Sequence, residues 1–169
     1  LVEIYDALSD PHPTFDLAIR WLEANRPEPL GPCLVHGDFR LGNLLIGEDG
    51  LRAVLDWEIA HIGDPAADLG WMCVRAWRFG GKEKVAGIGG YTNFLDDYET
   101  QSGTRVPLET LQWWEIFGTL RCGIICLQMG VDFRAGRTSS IEIATIGRRV
   151  AENEYDLLSS LKEQLYELA

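Results

Sequence analysis

A chain of 169 residues that is 46% hydrophobic and carries six tryptophans can bury one sizeable core, which excludes disorder. The formal net charge of −11 argues against a nucleic-acid partner, because phosphate backbones demand Lys and Arg. That charge is spread along the chain and is explained by solubility, although an acidic surface would also suit a cationic small molecule.

Taken in chain order, Phe15, Ile19 and Leu22 recur at helical spacing, and the helix runs from Thr14, its expected N-cap, to Asn25. Pro27, Pro29, Gly31 and Pro32 end it. Cys33-Leu34-Val35 reads as a short buried strand that delivers His36-Gly37-Asp38-Phe39-Arg40-Leu41-Gly42-Asn43. Asn43 stands just before the apolar run Leu44-Leu45-Ile46, and Asp56 just after Ala53-Val54-Leu55. Between the runs, Gly47-Glu48-Asp49-Gly50 makes a turn, so the two pair as an antiparallel hairpin. Residues 43 and 56 then fall at the same end of the strand pair, with Asp38 in the loop that feeds it. Three oxygen-bearing side chains at one loop end suit a hard divalent cation carried by nucleotide phosphates, with one carboxylate left over as a base.

Downstream, Asp68 to Arg78 resumes a helical pattern. The stretch Phe79 to Gly90, with five glycines and two lysines, reads as a mobile surface loop; it lacks the P-loop pattern, and no strand leads into it. Tyr91 to Thr100 is predicted helical, and Pro107 opens a long helix reaching Met129. Within it, the longest apolar stretch, Trp113 to Met129, carries Glu115 and Arg121 and reads as a buried helix, not a membrane span. Ser139 with Glu142 fits a capping box. Ile143, Ile146, Val150, Leu157, Leu161, Leu165 and Leu168 approximate one stripe of a final helix that breaks near Gly147 or Asn153. Cys33, Cys73, Cys122 and Cys126 show no C-x-x-C pair; Cys122 and Cys126 share a helix face inside an apolar run and read as core. The N-terminus has neither the basic region nor the apolar core of a secretory signal, and the expected location is the cytoplasm. The fold class is mostly α (α+β), with a few short strands at the motif.

The segment His36 to Asn43 has the form H-x-D-x-[KR]-x-x-N followed by a strand pair and a second Asp, and Gly63-Asp64-Pro65-Ala66-Ala67-Asp68-Leu69 follows it. Together these resemble the catalytic and metal loops of the aminoglycoside phosphotransferase and choline-kinase-like family. The resemblance implies the protein-kinase-like C-terminal lobe of such an enzyme, a helical bundle with a short catalytic β-hairpin. It makes residues 1–169 a single domain, with 32–71 as the catalytic and metal-binding core and 80–169 as the helical substrate side. The family's N-terminal nucleotide lobe is expected to be absent from the chain.

The implied activity is transfer of the γ-phosphoryl group of Mg-ATP to the hydroxyl of a small molecule, with the isolated lobe inactive. Asp38 is then the base, Arg40 a stabiliser of charge on the transferred group, and Asn43 and Asp56 the ligands of Mg²⁺ and its nucleotide. His36, Asp64 and Asp68 are structural, His36 by bonding backbone near Asp56 and Asp68 by bracing the loop through its amides. Glu58 is either a second carboxylate near the metal or a solvated one. Trp57 packs, and His12 and His61 are isolated. The expected partners are a hydroxyl acceptor and the nucleotide lobe, with self-association through the surface that lobe would cover. Two rival readings keep the same residues: a pseudokinase or binding module, and a metal-dependent phosphohydrolase, the latter weakened by having only two acidic ligands plus Asn.

Overall fold

The computed structural model describes residues 1–8 and 10–167, the side chains of 165–167 excepted. Leu168 of the expected stripe, and the side chain of Leu165, lie outside the described residues. The chain divides into two compact units, one of residues 1–25 together with those from Thr119 onward, the other Arg26–Gly118.

The first unit is helical: α1 (Val2–Leu8), α2 (Pro13–Ala24), the second half of α5 (Leu108–Arg134), α6 (Ile141–Gly147) and α7 (Val150–Glu167). Phe15, Ala18 and Leu22 line the buried face of α2, which packs on α7 where Leu157 is fully buried. The N-cap of α2 is His12, not Thr14, because Pro13 takes the first helical position, where its missing N–H is no loss. Nor is His12 isolated: its ring stacks on Phe15 and its Nδ1–H donates to Glu154 at 2.9 Å. Ser140, one residue beyond the expected Ser139, caps α6 by accepting from the Ile143 amide. The final helix does break at Gly147. Asn153 sits buried inside α7 instead, donating to the Arg149 carbonyl and approaching the sulfur of Cys126 at 3.8 Å. Cys122 and Cys126 are core residues, as their setting implied.

The second unit holds the four strands found among the described residues. β1 (Cys33–Val35) pairs antiparallel with β4 (His61–Gly63), a partner the sequence did not announce, and β2 (Leu44–Gly47) pairs antiparallel with β3 (Gly50–Val54). Of β1 only Val35 is buried, and Leu34 is 62% exposed, so the strand is less buried than its composition suggests. The helix expected from Asp68 to Arg78 runs instead as α3 (Ala66–Cys73) and a separate 3-10 turn, Arg75–Trp77. Val74 separates them with an extended backbone (φ −55°, ψ 129°). α4 (Tyr91–Ser102) closes on Gly103, whose φ of 71° is the left-handed cap that glycine favours.

The segment 79–90 is not a featureless loop. Bridges Glu83↔Gly87 and Val85↔Gly89 fold it back on itself, Val85 and Ala86 enter the core beside Met72 and Leu111, and the Ala86 amide donates to the Met72 carbonyl. Its ends are also tied: Arg78 Nη2 donates to Glu115 Oε1 at 2.8 Å, and the Tyr91 hydroxyl to Glu115 Oε2. By length and composition α5 could cross a membrane. Leu111, Ile116, Leu120 and Ile124 on it are nonetheless buried in the protein, and Glu115 is ion-paired, so it is a core helix.

Candidate active site

β1 delivers the chain into the 36–43 loop, and the Asp68 carboxylate, in the first turn of α3, receives it there. Asp68 accepts from the amides of His36 (2.6 Å) and Gly37 (2.9 Å), as its position suggested. Gly37 turns the loop at φ 86°, and a Cβ there would stand 2.9 Å from the Ile59 carbonyl oxygen, so both conformation and space require glycine. The buried His36 accepts from the Asp38 amide at Nδ1, which leaves its proton on Nε2 for the Leu55 carbonyl at 2.7 Å. Trp57 lies against the same ring with centroids 4.6 Å apart and donates its indole N–H to Val54. Asp64 accepts from the amides of Leu30 and Ala66, fixing the start of α3.

Asp38 stands at the centre of this frame. Its Oδ2 accepts from Asn43 Nδ2 at 2.7 Å and from Arg40 Nε at 3.0 Å; its Oδ1 accepts from Arg40 Nε at 3.1 Å and from Trp71 Nε1 at 2.8 Å. Arg40 is held in turn over the ring of Trp77, 4.8 Å from its centroid. Asn43, buried at the end of a 3-10 turn, also donates to the Asp38 carbonyl at 2.8 Å. Both bonds use Nδ2, so the amide is oriented and Oδ1 faces away, accepting no hydrogen bond among the described residues.

The hairpin brings Asp56 to this end as its symmetry predicts. Leu44 is paired with Val54, and the Asn43 carbonyl accepts the Leu55 amide at 2.8 Å, which extends the ladder to the residue before Asp56. Asp56 then adopts φ 67°, a left-handed conformation unusual for a non-glycine residue. Such strain collects at functional positions. Its side chain is exposed, as is that of Glu58, and neither makes a hydrogen bond among the described residues. The structure therefore joins Asp38, Arg40 and Asn43 by direct contact, ties Asp56 to them through Leu55, and leaves Glu58 apart.

Trp71 and Trp77 escape a reading of the sequence built on oxygen-bearing side chains. The signal for Trp71 was its spacing: three residues after Asp68, it shares that residue's helix face. Beside the loop lies an apolar hollow of about 450 Å³ lined by Phe39, Trp57, Leu69, Phe94 and Tyr98. Burial there raises the Tyr98 hydroxyl above the usual phenol range.

The sequence profile of the phosphotransferase enzyme family matches residues 3–103. Among solved structures, a candidate aminoglycoside phosphotransferase from Ralstonia eutropha superposes with a TM-score of 0.78 at 24% identity, over 96% of this chain and 53% of that one. A thermostable mutant of an aminoglycoside phosphotransferase superposes with a TM-score of 0.55 at 16% identity, over 95% and 47%. These two show the fold, which is the expected mostly helical, kinase-like one with a small hairpin. Among curated relatives, acyl-CoA dehydrogenase family member 10 of Mus musculus is 42% identical over 64 residues, 37% of this chain and 6% of that protein. Acyl-CoA dehydrogenase family member 11 of Gallus gallus is 33% identical over 102 residues, 58% of this chain and 13% of that protein. The chain thus spans about half of its structural neighbours and a small part of the curated relatives. With a family profile that takes in the 36–43 loop, the hairpin and α3 together, the chain belongs to the phosphotransferase enzyme family.

Proposed function

We propose that this chain is the acceptor-side lobe of an ATP-dependent small-molecule kinase, in which Asp38 takes the proton of an acceptor hydroxyl while Asn43 and Asp56 hold Mg²⁺ on the nucleotide. The observation that carries the reading is the Asp38–Asn43 pair: one amide group donates to the base through Nδ2 and keeps Oδ1 for a cation, so base and metal positions are set by a single side chain. The donor set fits the ion. One exposed carboxylate and one neutral oxygen are what Mg²⁺ uses when phosphates and waters supply the rest. Among the described residues there is no cluster of three or more His, Cys, Asp or Glu side chains in metal-binding range, which suits a cation that arrives with a nucleotide better than a resident two-metal centre. Bound there, the cation would neutralise charge on the phosphates.

The chain's own residues do the positioning. Asp38 orients the acceptor oxygen, and alignment counts for more than proton removal because the transition state is loose. Arg40, near Asp38 and steadied by Trp77, offers positive charge to the group in transfer. Glu58, exposed and without a bond, serves as solvated charge. In this reading the grip on adenine and the β-phosphate comes from the nucleotide lobe of the full-length protein, and transfer needs both lobes.

The test is phosphoryl transfer from γ-labelled Mg-ATP by the full-length protein that carries this chain, across a panel of small alcohols, amino alcohols and sugars. Label should appear on at least one hydroxyl compound, depend on Mg²⁺, and fall by at least about a hundredfold in Asp38→Asn. Transfer at the parental rate in Asp38→Asn overturns the assignment.

A further inference from the structure

Asp68 and Trp71 reach the 36–43 loop from one face of α3, the first through the loop's backbone amides and the second through its carboxylate. Trp71 Nε1–H donates to Asp38 Oδ1 at 2.8 Å, and its side chain is buried, 4% exposed. An indole N–H is a donor with no other role, and a bond to an ionised acceptor in a desolvated place is stronger than one in water. The indole is fixed in its turn. Its ring lies 5.3 Å from that of Trp77, and α5 comes so close at Gly118 that a Cβ there would stand 3.2 Å from Trp71 Cε3. Of the three side chains that donate to Asp38, Arg40 and Asn43 belong to the same loop. Trp71 alone of these comes from another element, α3.

We propose that Trp71 is a positioning residue for phosphoryl transfer, its indole N–H fixing the plane in which the Asp38 carboxylate meets the acceptor hydroxyl; this rests on the reading of Asp38 as the base. In that transfer the acceptor oxygen forms a bond to the γ-phosphorus, the bond from that phosphorus to the β,γ-bridging oxygen breaks with its electron pair leaving on ADP, and the acceptor's proton passes to Asp38. A carboxylate free to turn about its Cβ–Cγ bond would offer the wrong edge for part of the time, and turnover would fall with no change in how the nucleotide binds.

The experiment uses the full-length protein and Mg-ATP, with water as the acceptor. Trp71→Phe keeps most of the packing and removes the donor. We expect kcat for hydrolysis to fall about tenfold with the KM for ATP and the Tm unchanged, and Trp71→His, which retains a ring N–H, to recover part of the rate. In the NMR spectrum of otherwise unaltered protein, the Trp71 indole N–H resonance should move on Asp38→Ala. A folded Trp71→Phe protein with the parental kcat overturns the proposal, as does an indole resonance indifferent to Asp38→Ala. The second readout leaves Trp71 in place and holds even if the Phe variant does not fold. Loss of rate in Asp38→Ala without loss in Trp71→Phe defeats this inference alone, whereas a parental rate in Asp38→Ala defeats the reading of Asp38 as the base as well.

Discussion

His36 and Leu55 are joined by a 2.7 Å hydrogen bond from imidazole Nε2–H to main-chain carbonyl, so the residue that opens the 36–43 loop also holds the residue before Asp56. One ring thereby sets the spacing between the candidate base and the candidate metal carboxylate. His36→Ala would leave the Asp38 amide and the Leu55 carbonyl without their partner, each a loss of about 1–3 kcal/mol where water cannot replace it. We expect chemical denaturation to show the two losses together, up to about 6 kcal/mol, and Mg-nucleotide affinity and turnover to fall together. A variant that loses turnover alone would show that the ring does not control Asp56.

Asp38 and Asp56 should fail differently. Asp38→Asn in the full-length protein is expected to lower phosphoryl transfer by about 10² to 10⁴-fold, the range for a positioned base, with nucleotide affinity nearly unchanged. Asp56→Asn should weaken Mg-nucleotide binding about ten- to hundredfold in addition. Calorimetric titration of both variants with Mg-ATP separates the two roles, and an equal loss of affinity would refute the division.

Gly130 and Gly147 face each other in the first unit but do not tolerate a methyl group equally. A Cβ on Gly147 would stand 2.6 Å from Gly130 Cα and 2.7 Å from its nitrogen, backbone atoms that cannot yield. A Cβ on Gly130 would meet the Gly147 carbonyl oxygen at 3.4 Å and its Cα at 3.6 Å, ordinary contacts. Gly147→Ala should therefore destabilise by about 1–3 kcal/mol. Gly130→Ala, in the interior of α5, should stabilise by up to about 1 kcal/mol through helix propensity. Thermal unfolding of the two variants gives the signs.

Desolvation by burial, and after it the Glu115 carboxylate, pushes the Tyr91 hydroxyl far above the ordinary phenol range. The unfolded chain releases this proton near pH 10 while the folded protein keeps it. Stability from this group is accordingly whole below about pH 10 and declines as pH rises above it, by up to about 1.4 kcal/mol per pH unit. Tyr91→Phe should make the alkaline fall in unfolding free energy shallower, with Tyr5 and Tyr98, shifted in the same direction, retaining part of it. Equal slopes in parent and variant would remove Tyr91 from the account.

Local chemistry in the sequence conveyed the hairpin and what stands at its end, because the turn, the two apolar runs and residues 43 and 56 all lie within one short span. Asp68 was legible through the family resemblance of Gly63 to Leu69, together with its place at the opening of a helix. What stayed hidden depends on distant partners. β4 is a strand only because β1 lies beside it, and its three residues carry no pattern of their own. Val74 interrupts a helical period for which no proline or glycine gives warning. His12 looked idle because Glu154 is 142 residues away. The ordering of 79–90 rests on two small apolar residues among glycines, and the composition of that segment outweighs them in any local reading.

Glu115 holds Arg78 and Tyr91 with its two oxygens, so the glycine-rich excursion leaves and rejoins the protein at one carboxylate, with Ala86 pinned midway. This decides how the segment meets a protease. Lys82 and Lys84 are exposed just after Gly80-Gly81, the dress of an easy tryptic site, yet the chain cannot straighten into a protease cleft unless the clasp opens. Cleavage at these lysines would therefore follow the opening equilibrium of a buried ion pair more than the accessibility of the lysines, and the rate of nicking would serve as a gauge of how often Glu115 lets go.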